Sequence, residues 1–184
     1  MRAHLSRRLF TRIGLLAAVA IGAAFGVASL ASASDSAKGT PVVDQIKIKG
    51  NTHPHFVFPS SVHVGDQLEI VNKTNPTVIG PHTFSLVKHR LIPNTKREVN
   101  RCGHKGHICK AIGRWHKNGA RQLSQAGSPG WDKQGDLKHR GDSWFTTTTP
   151  GTSFQQVVSA PPGTVLHFMC GIHAFMHGQV LVKP

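Results

Sequence analysis

Tyrosine is missing from this chain of 184 residues, and acidic side chains are few: eight Asp and Glu stand against 22 Lys and Arg. The first absence removes one residue type from any set of candidate ligands. The second leaves a formal charge of +14, so a partner steered by charge would be anionic: an acidic protein, a lipid headgroup or a cell-wall polymer. Cysteine is scarce and odd in number. Three cysteines exclude complete pairing, so if two form a disulfide the third is left for another task. No nucleic-acid-binding motif accompanies the basic charge, which argues against a nucleic-acid partner. Long apolar runs are confined to one stretch, Ile13 to Leu30.

That stretch reads as part of an export signal over residues 1–33. Arg2, Arg7, Arg8 and Arg12 give a positive start, and Ala31-Ser32-Ala33 is a small-residue cleavage site before a polar linker. Ser6-Arg7-Arg8-Leu9-Phe10-Thr11-Arg12 is similar to the twin-arginine export motif of bacteria. An uncleaved anchor is the competing reading, because the apolar run is nearly long enough to span a bilayer. Under either reading, residues 34–184 are expected to form one domain working outside the cytoplasm, periplasmic or extracellular at the cell envelope.

The rest alternates like a β protein. Val42 to Ile48, Phe56 to Phe58, Val62 to Val64, Leu68 to Asn72 and Thr83 to Val87 read as strands, with Gly65-Asp66 as a turn and 73–81 as a loop. After a long interval come Trp144 to Thr147, Ser153 to Val158, Thr164 to Cys170 and Gln179 to Val182, parted by Pro150-Gly151 and Pro161-Pro162-Gly163. In the strand ending at Cys170, period two points Leu166, Phe168 and Cys170 one way and Val165, His167 and Met169 the other. His167 is thereby expected at the surface.

The chemistry concentrates in Cys170-Gly171-Ile172-His173-Ala174-Phe175-Met176. A thiolate, an imidazole and a thioether at this spacing suit a copper electron-transfer site, which needs one more imidazole. His82, in Gly80-Pro81-His82-Thr83-Phe84, is the natural candidate among 13 histidines. Each residue alone is ordinary: a free thiol, a surface histidine, a core methionine.

Together these residues, with the segment Val62-His63-Val64-Gly65-Asp66-Gln67-Leu68-Glu69-Ile70-Val71-Asn72 before His82, resemble the cupredoxins, the plastocyanin and azurin family. The short ligand loop is closest to the amicyanin-like members. The resemblance implies an all-β, Greek-key two-sheet sandwich and one type 1 copper ion per chain, bound by His82, Cys170, His173 and a long axial bond to Met176. It implies a monomeric carrier of single electrons, not an enzyme, with a redox partner docking near His173 over Ile79, Pro81, Ile172 and Phe175. Sequestration or delivery of copper is the alternative, encouraged by His53, His55, His104, His107 and His116. The chain departs from the pattern at two places. Thr83 stands where Asn often follows the first His, and Ile172 stands where amicyanin and plastocyanin have Pro. The Ile172 N–H is free to reach the Cys170 sulfur and raise the reduction potential.

Between His82 and Cys170 lies an interval much longer than in simple cupredoxins. The excess is a basic insertion, 88–142. From Lys88 to Arg140 it carries 13 Lys and Arg against three acidic residues, a net of +10, and with an uncleaved signal it is the only expected route to a membrane. Without it about 95 residues remain, near the roughly 100 of a Greek-key sandwich. Cys102 and Cys109 read as a disulfide stapling this loop. A second metal held by Cys102, His104, His107 and Cys109 stays open, although the spacing is not the usual zinc pattern. Trp115 and Trp131 are expected to anchor the loop to the sandwich, and Lys110 to Trp115 to form a helical turn.

Overall fold

A computed structural model describes residues 42–184; the export signal, its cleavage site and the linker lie outside them. No helix among the described residues is long and apolar enough to cross a membrane. Among the described residues ten strands run in order: β1 (Val43–Lys49), β2 (His55–Val57), β3 (Ser61–His63), β4 (Gln67–Asn72), β5 (Thr83–Leu86), β6 (Leu123–Ser124), β7 (Ser143–Phe145), β8 (Ser153–Val157), β9 (Val165–Met169) and β10 (His177–Lys183). They form two sheets, β2-β1-β4-β8 and β3-β10-β9-β5-β7-β6. Pairs β1–β4 and β3–β10 are parallel and the rest antiparallel. The two-sheet β-sandwich that the resemblance implied is observed.

Alternation explains the core. Ile46, Ile48, Leu68 and Ile70 of the first sheet meet Phe84, Leu86, Leu166, Phe168, Val180 and Val182 of the second, all buried. Trp131 enters this core from the basic segment, fully buried, with its Nε1–H donating to the Leu68 carbonyl at 3.2 Å. Phe56, Phe84 and Phe168 pack around it or each other in edge and tilted contacts. Cys170 and Met176 belong to the same cluster.

Segment 88–142 holds more regular structure than its composition announces. Helix α2 (Lys96–Arg101) starts at a capping box in which Thr95 and Glu98 satisfy each other's backbone N–H. Helix α3 (Ile108–Trp115) buries Ile108, Cys109, Ala111, Ile112 and Trp115, the spacing of one helical face. The helix is therefore longer than the turn expected from Lys110. The 73–81 loop also contains a single turn, α1 (Pro76–Ile79), capped by Asn75, whose side chain accepts from the Thr77 N–H.

The apolar face of α3 covers the outer face of β9. Met169, Val87 and Ala174 form a second buried cluster with Ile92, Ile112, Trp115 and the Cys102–Cys109 disulfide. This corrects the expectation for the outward side of β9: Met169 is fully buried, and His167 is half-buried with its ring stacked on His89 at 4.4 Å. Gly135 makes the packing possible, since a Cβ there would lie 2.5 Å from the Trp115 ring. Asp142 fixes the segment's end; its buried carboxylate accepts from the N–H groups of Ala126, Asp132 and Lys133.

Candidate metal centre

His82 stands immediately before β5 and Cys170 immediately after β9. These strands pair antiparallel with Ser85 opposite Met169, so the two side chains meet at one end of the sheet. The strand pair β9–β10 closes with Met169 opposite His177, leaving Cys170 to Met176 as the connecting loop. Two backbone bonds clasp it: Cys170 N–H to the Met176 carbonyl at 2.9 Å and Met176 N–H to the His173 carbonyl at 2.8 Å.

The outcome is convergence. His82 Nδ1 and His173 Nδ1 lie 3.9 and 3.8 Å from the Cys170 sulfur and 3.2 Å from each other. Among the described residues this is the one group of three or more His, Cys, Asp or Glu side chains placed to hold a metal. Metal bonds of about 2.0–2.1 Å to nitrogen and 2.3 Å to sulfur, spread trigonally, separate nitrogen from sulfur by about 3.8 Å. A thiolate and two imidazoles would suit a soft first-row ion. Met176, the fourth expected residue, is buried within the clasped loop at 2% exposure.

Second contacts fix each donor. Thr74 gives its hydroxyl proton to Asn72 Oδ1 at 2.7 Å, so at the 3.1 Å contact with His82 Nε2 the ring must be the donor. That bond leaves the lone pair of Nδ1 aimed at the site, as an outer partner of a ligating histidine should. The Ile79 carbonyl faces the His173 ring and opposes the effect of burial on it. The sulfur receives the N–H groups of His173 at 3.3 Å and Thr83 at 3.4 Å, and the Ile172 N–H and the Thr83 hydroxyl also face it. Thr83 ties the two ligand segments together as well, because its Oγ1 accepts from the Gly171 N–H at 2.8 Å. The shorter hydroxyl does here what an amide would do.

Burial sets the protonation states. It lowers the His82 pKa to about 4, helped by the neighbouring His173, and it lowers that of His173. It raises the Cys170 thiol above its usual range, opposed by the hydrogen bonds to the sulfur. Without a cation the site is two neutral imidazoles and a thiol.

The other residues expected from the sequence find these places. Cys102 and Cys109 form a disulfide, which removes the thiolates that a second metal would need. His104 and His107 remain beside that bridge, and His116 is buried against Ser143, whose hydroxyl lies 2.6 Å from its Nε2. Asn72, Thr74, Ser85, Ser143 and His116, which surround the site, were not singled out by spacing; only the fold brings them there.

No protein-family model and no curated protein sequence matches this chain. Solved structures do match. Auracyanin A, a "blue" copper protein from Chloroflexus aurantiacus, is 16% identical, with 78% of this chain and 100% of that one covered and a TM-score of 0.42. A purple cupredoxin from Nitrosopumilus maritimus is 14% identical over 76% and 99%, at 0.40. An amicyanin variant is 14% identical over 82% and 88%, at 0.37. At such identities and scores, the reading of function rests on this chain's own side chains.

Proposed function

We propose that the chain binds one copper ion, which His82, Cys170 and His173 would hold with Met176 as a fourth, weaker donor, and carries single electrons between redox partners outside the cytoplasm. The convergence of two imidazole nitrogens and one buried sulfur carries this reading. When bound, the copper supplies reversible one-electron chemistry, and everything else is the work of the polypeptide. The Thr74 bond holds the His82 ring and the Thr83 bond holds the Cys170 loop, so the donors keep one arrangement through both oxidation states. Preorganised donors of this kind suit fast exchange better than metal release, which favours a carrier over a delivery protein.

The exposed side of the site is apolar. Ile172 is 46% and Phe175 53% exposed beside the His173 ring, and Ile79 and Pro81 are half-buried next to it. A redox partner would dock on this patch and reach the centre through His173. Loading the mature chain with copper and titrating it with a one-electron reductant tests the reading. One electron per chain, taken up and returned without loss of metal, is the expected result. Copper released on either half-cycle would favour delivery instead.

A further inference from the structure

A buried polar chain leads from the metal centre into the basic segment. Thr83 Oγ1 lies 2.9 Å from Ser85 Oγ, Ser85 Oγ 2.6 Å from Ser143 Oγ, and Ser143 Oγ 2.6 Å from Nε2 of His116. The His116 ring is 1% exposed, and its Nδ1 donates to the Arg121 carbonyl at 2.8 Å. Each hydroxyl has one proton to give, so the ring decides which way all of them point.

With His116 neutral, the proton on Nδ1 is committed to Arg121 and Nε2 must accept. Ser143 then donates to His116, Ser85 to Ser143, and Thr83 to Ser85. The Cys170 sulfur loses the Thr83 hydroxyl. With His116 protonated, Nε2–H donates to Ser143, Ser143 to Ser85, and Ser85 to Thr83. The Thr83 proton is then free for the sulfur it faces. The heavy-atom geometry between Ser85 and Thr83 has Ser85 as donor, which is the second arrangement.

We propose that His116 is a positioning residue for the metal centre: protonation of its ring turns the Thr83 hydroxyl onto the Cys170 sulfur, so that a proton taken from solvent and an electron accepted from a donor protein favour each other's binding. The inference rests on the electron-carrier reading above. Hydrogen bonds to the sulfur set the potential of such a site, and the linkage is reciprocal. A more negative sulfur draws the proton, and the proton favours the reduced form.

The surroundings suit the task. A cavity of about 240 Å³ lined by Thr83, Ile112, His116, Asn118, Phe145 and Ile172 lies beside both ends of the chain. Burial, and after it the Arg121 charge, lower the His116 pKa, while the Arg121 carbonyl raises it. Other charges nearby are otherwise engaged or distant: Arg114 and Lys117 on its own stretch are exposed. On the β7 side the Asp142 carboxylate is held by three backbone N–H groups, and Ser143 and Phe145 bring no charge.

The test is the titration of the His116 ring, followed by nuclear magnetic resonance in the chain loaded with Cu(I) and with Zn(II), the latter carrying the charge of the oxidised metal. The ring should titrate at higher pH in the Cu(I) form, and Ser85→Ala, which cuts the chain of hydroxyls but leaves His116 in place, should shrink the difference to less than half. In parallel, the affinity for the electron should rise at least threefold as pH falls through that window, and Ser85→Ala and His116→Gln should both lose this part. Equal titration of His116 in the two forms, or a pH dependence undiminished in Ser85→Ala, would overturn the proposal. A chain that binds copper without a thiolate-to-copper band would instead refute the carrier reading itself.

Discussion

At the scale of single residues, what the site needs is donors without protons. The two imidazoles are neutral already, because burial holds the His82 pKa at about 4 and lowers that of His173. The thiol is the obstacle, since burial raises it. Metal binding near neutral pH should therefore release one proton per chain, and apparent affinity should climb about tenfold for each pH unit until the thiol pKa is passed. Calorimetry in buffers of different ionisation enthalpy reads that proton directly; a value near zero would mean the thiolate is already formed. Thr74 acts at the same scale. Thr74→Val removes the acceptor that fixes the His82 tautomer and should weaken metal binding by about 10–100-fold, measured by competition with a chelator, with little effect on folding. Nothing in the sequence marked Thr74. Its partner His82 lies eight residues on, across a turn whose shape depends on Asn75 and Pro76, so the pair exists only once α1 has formed.

At the scale of elements, the ligand loop is held from outside by helix α3. A Cβ on Gly171 would sit 2.7 Å from the Ile112 side chain, so Gly171→Ala must push α3 off the loop. Overpacking of this sort costs about 1–3 kcal/mol; urea unfolding should show the loss, and the absorption of the bound copper should shift with it. A second prediction concerns the anchor of the segment. Asp142→Ala leaves three backbone N–H groups without their acceptor and should destabilise the fold by about 1–3 kcal/mol or more. An unchanged unfolding midpoint would show that water replaces the carboxylate at no cost. The strands were readable because burial on one face imposes period two, and the ligand motif because it is compact. Segment 88–142 reads from the sequence as a basic loop with a disulfide staple, two tryptophan anchors and one helical turn. Its helices are short, and their apolar residues make sense only against β9, a strand more than fifty positions later. The same cover explains why Met169 and His167, outward by alternation, are not free surface.

For the molecule as a whole, charge and chemistry lie in different places. The excess of positive charge belongs to segment 88–142, while the exposed edge of the site is apolar around Ile172 and Phe175. An acidic partner would be drawn by the first and docked on the second. Electron transfer to such a partner should slow as salt rises, because exposed charges are screened within about 10 Å at 0.1 M, whereas Phe175→Ala should slow it at all salt concentrations. Composition alone made the charge visible, but only the fold shows that the same segment brings His116 to the chain of hydroxyls that starts at Thr83. The central claim is that His82, Cys170 and His173 share one copper ion. Its most direct test is the combined visible and electron spin resonance spectrum of the copper-loaded chain beside that of Cys170→Ser. An intense thiolate-to-copper band with narrow hyperfine splitting, both lost in Cys170→Ser, is the predicted result. A weakly coloured, tetragonal Cu(II) signal that is unchanged by the substitution would contradict it.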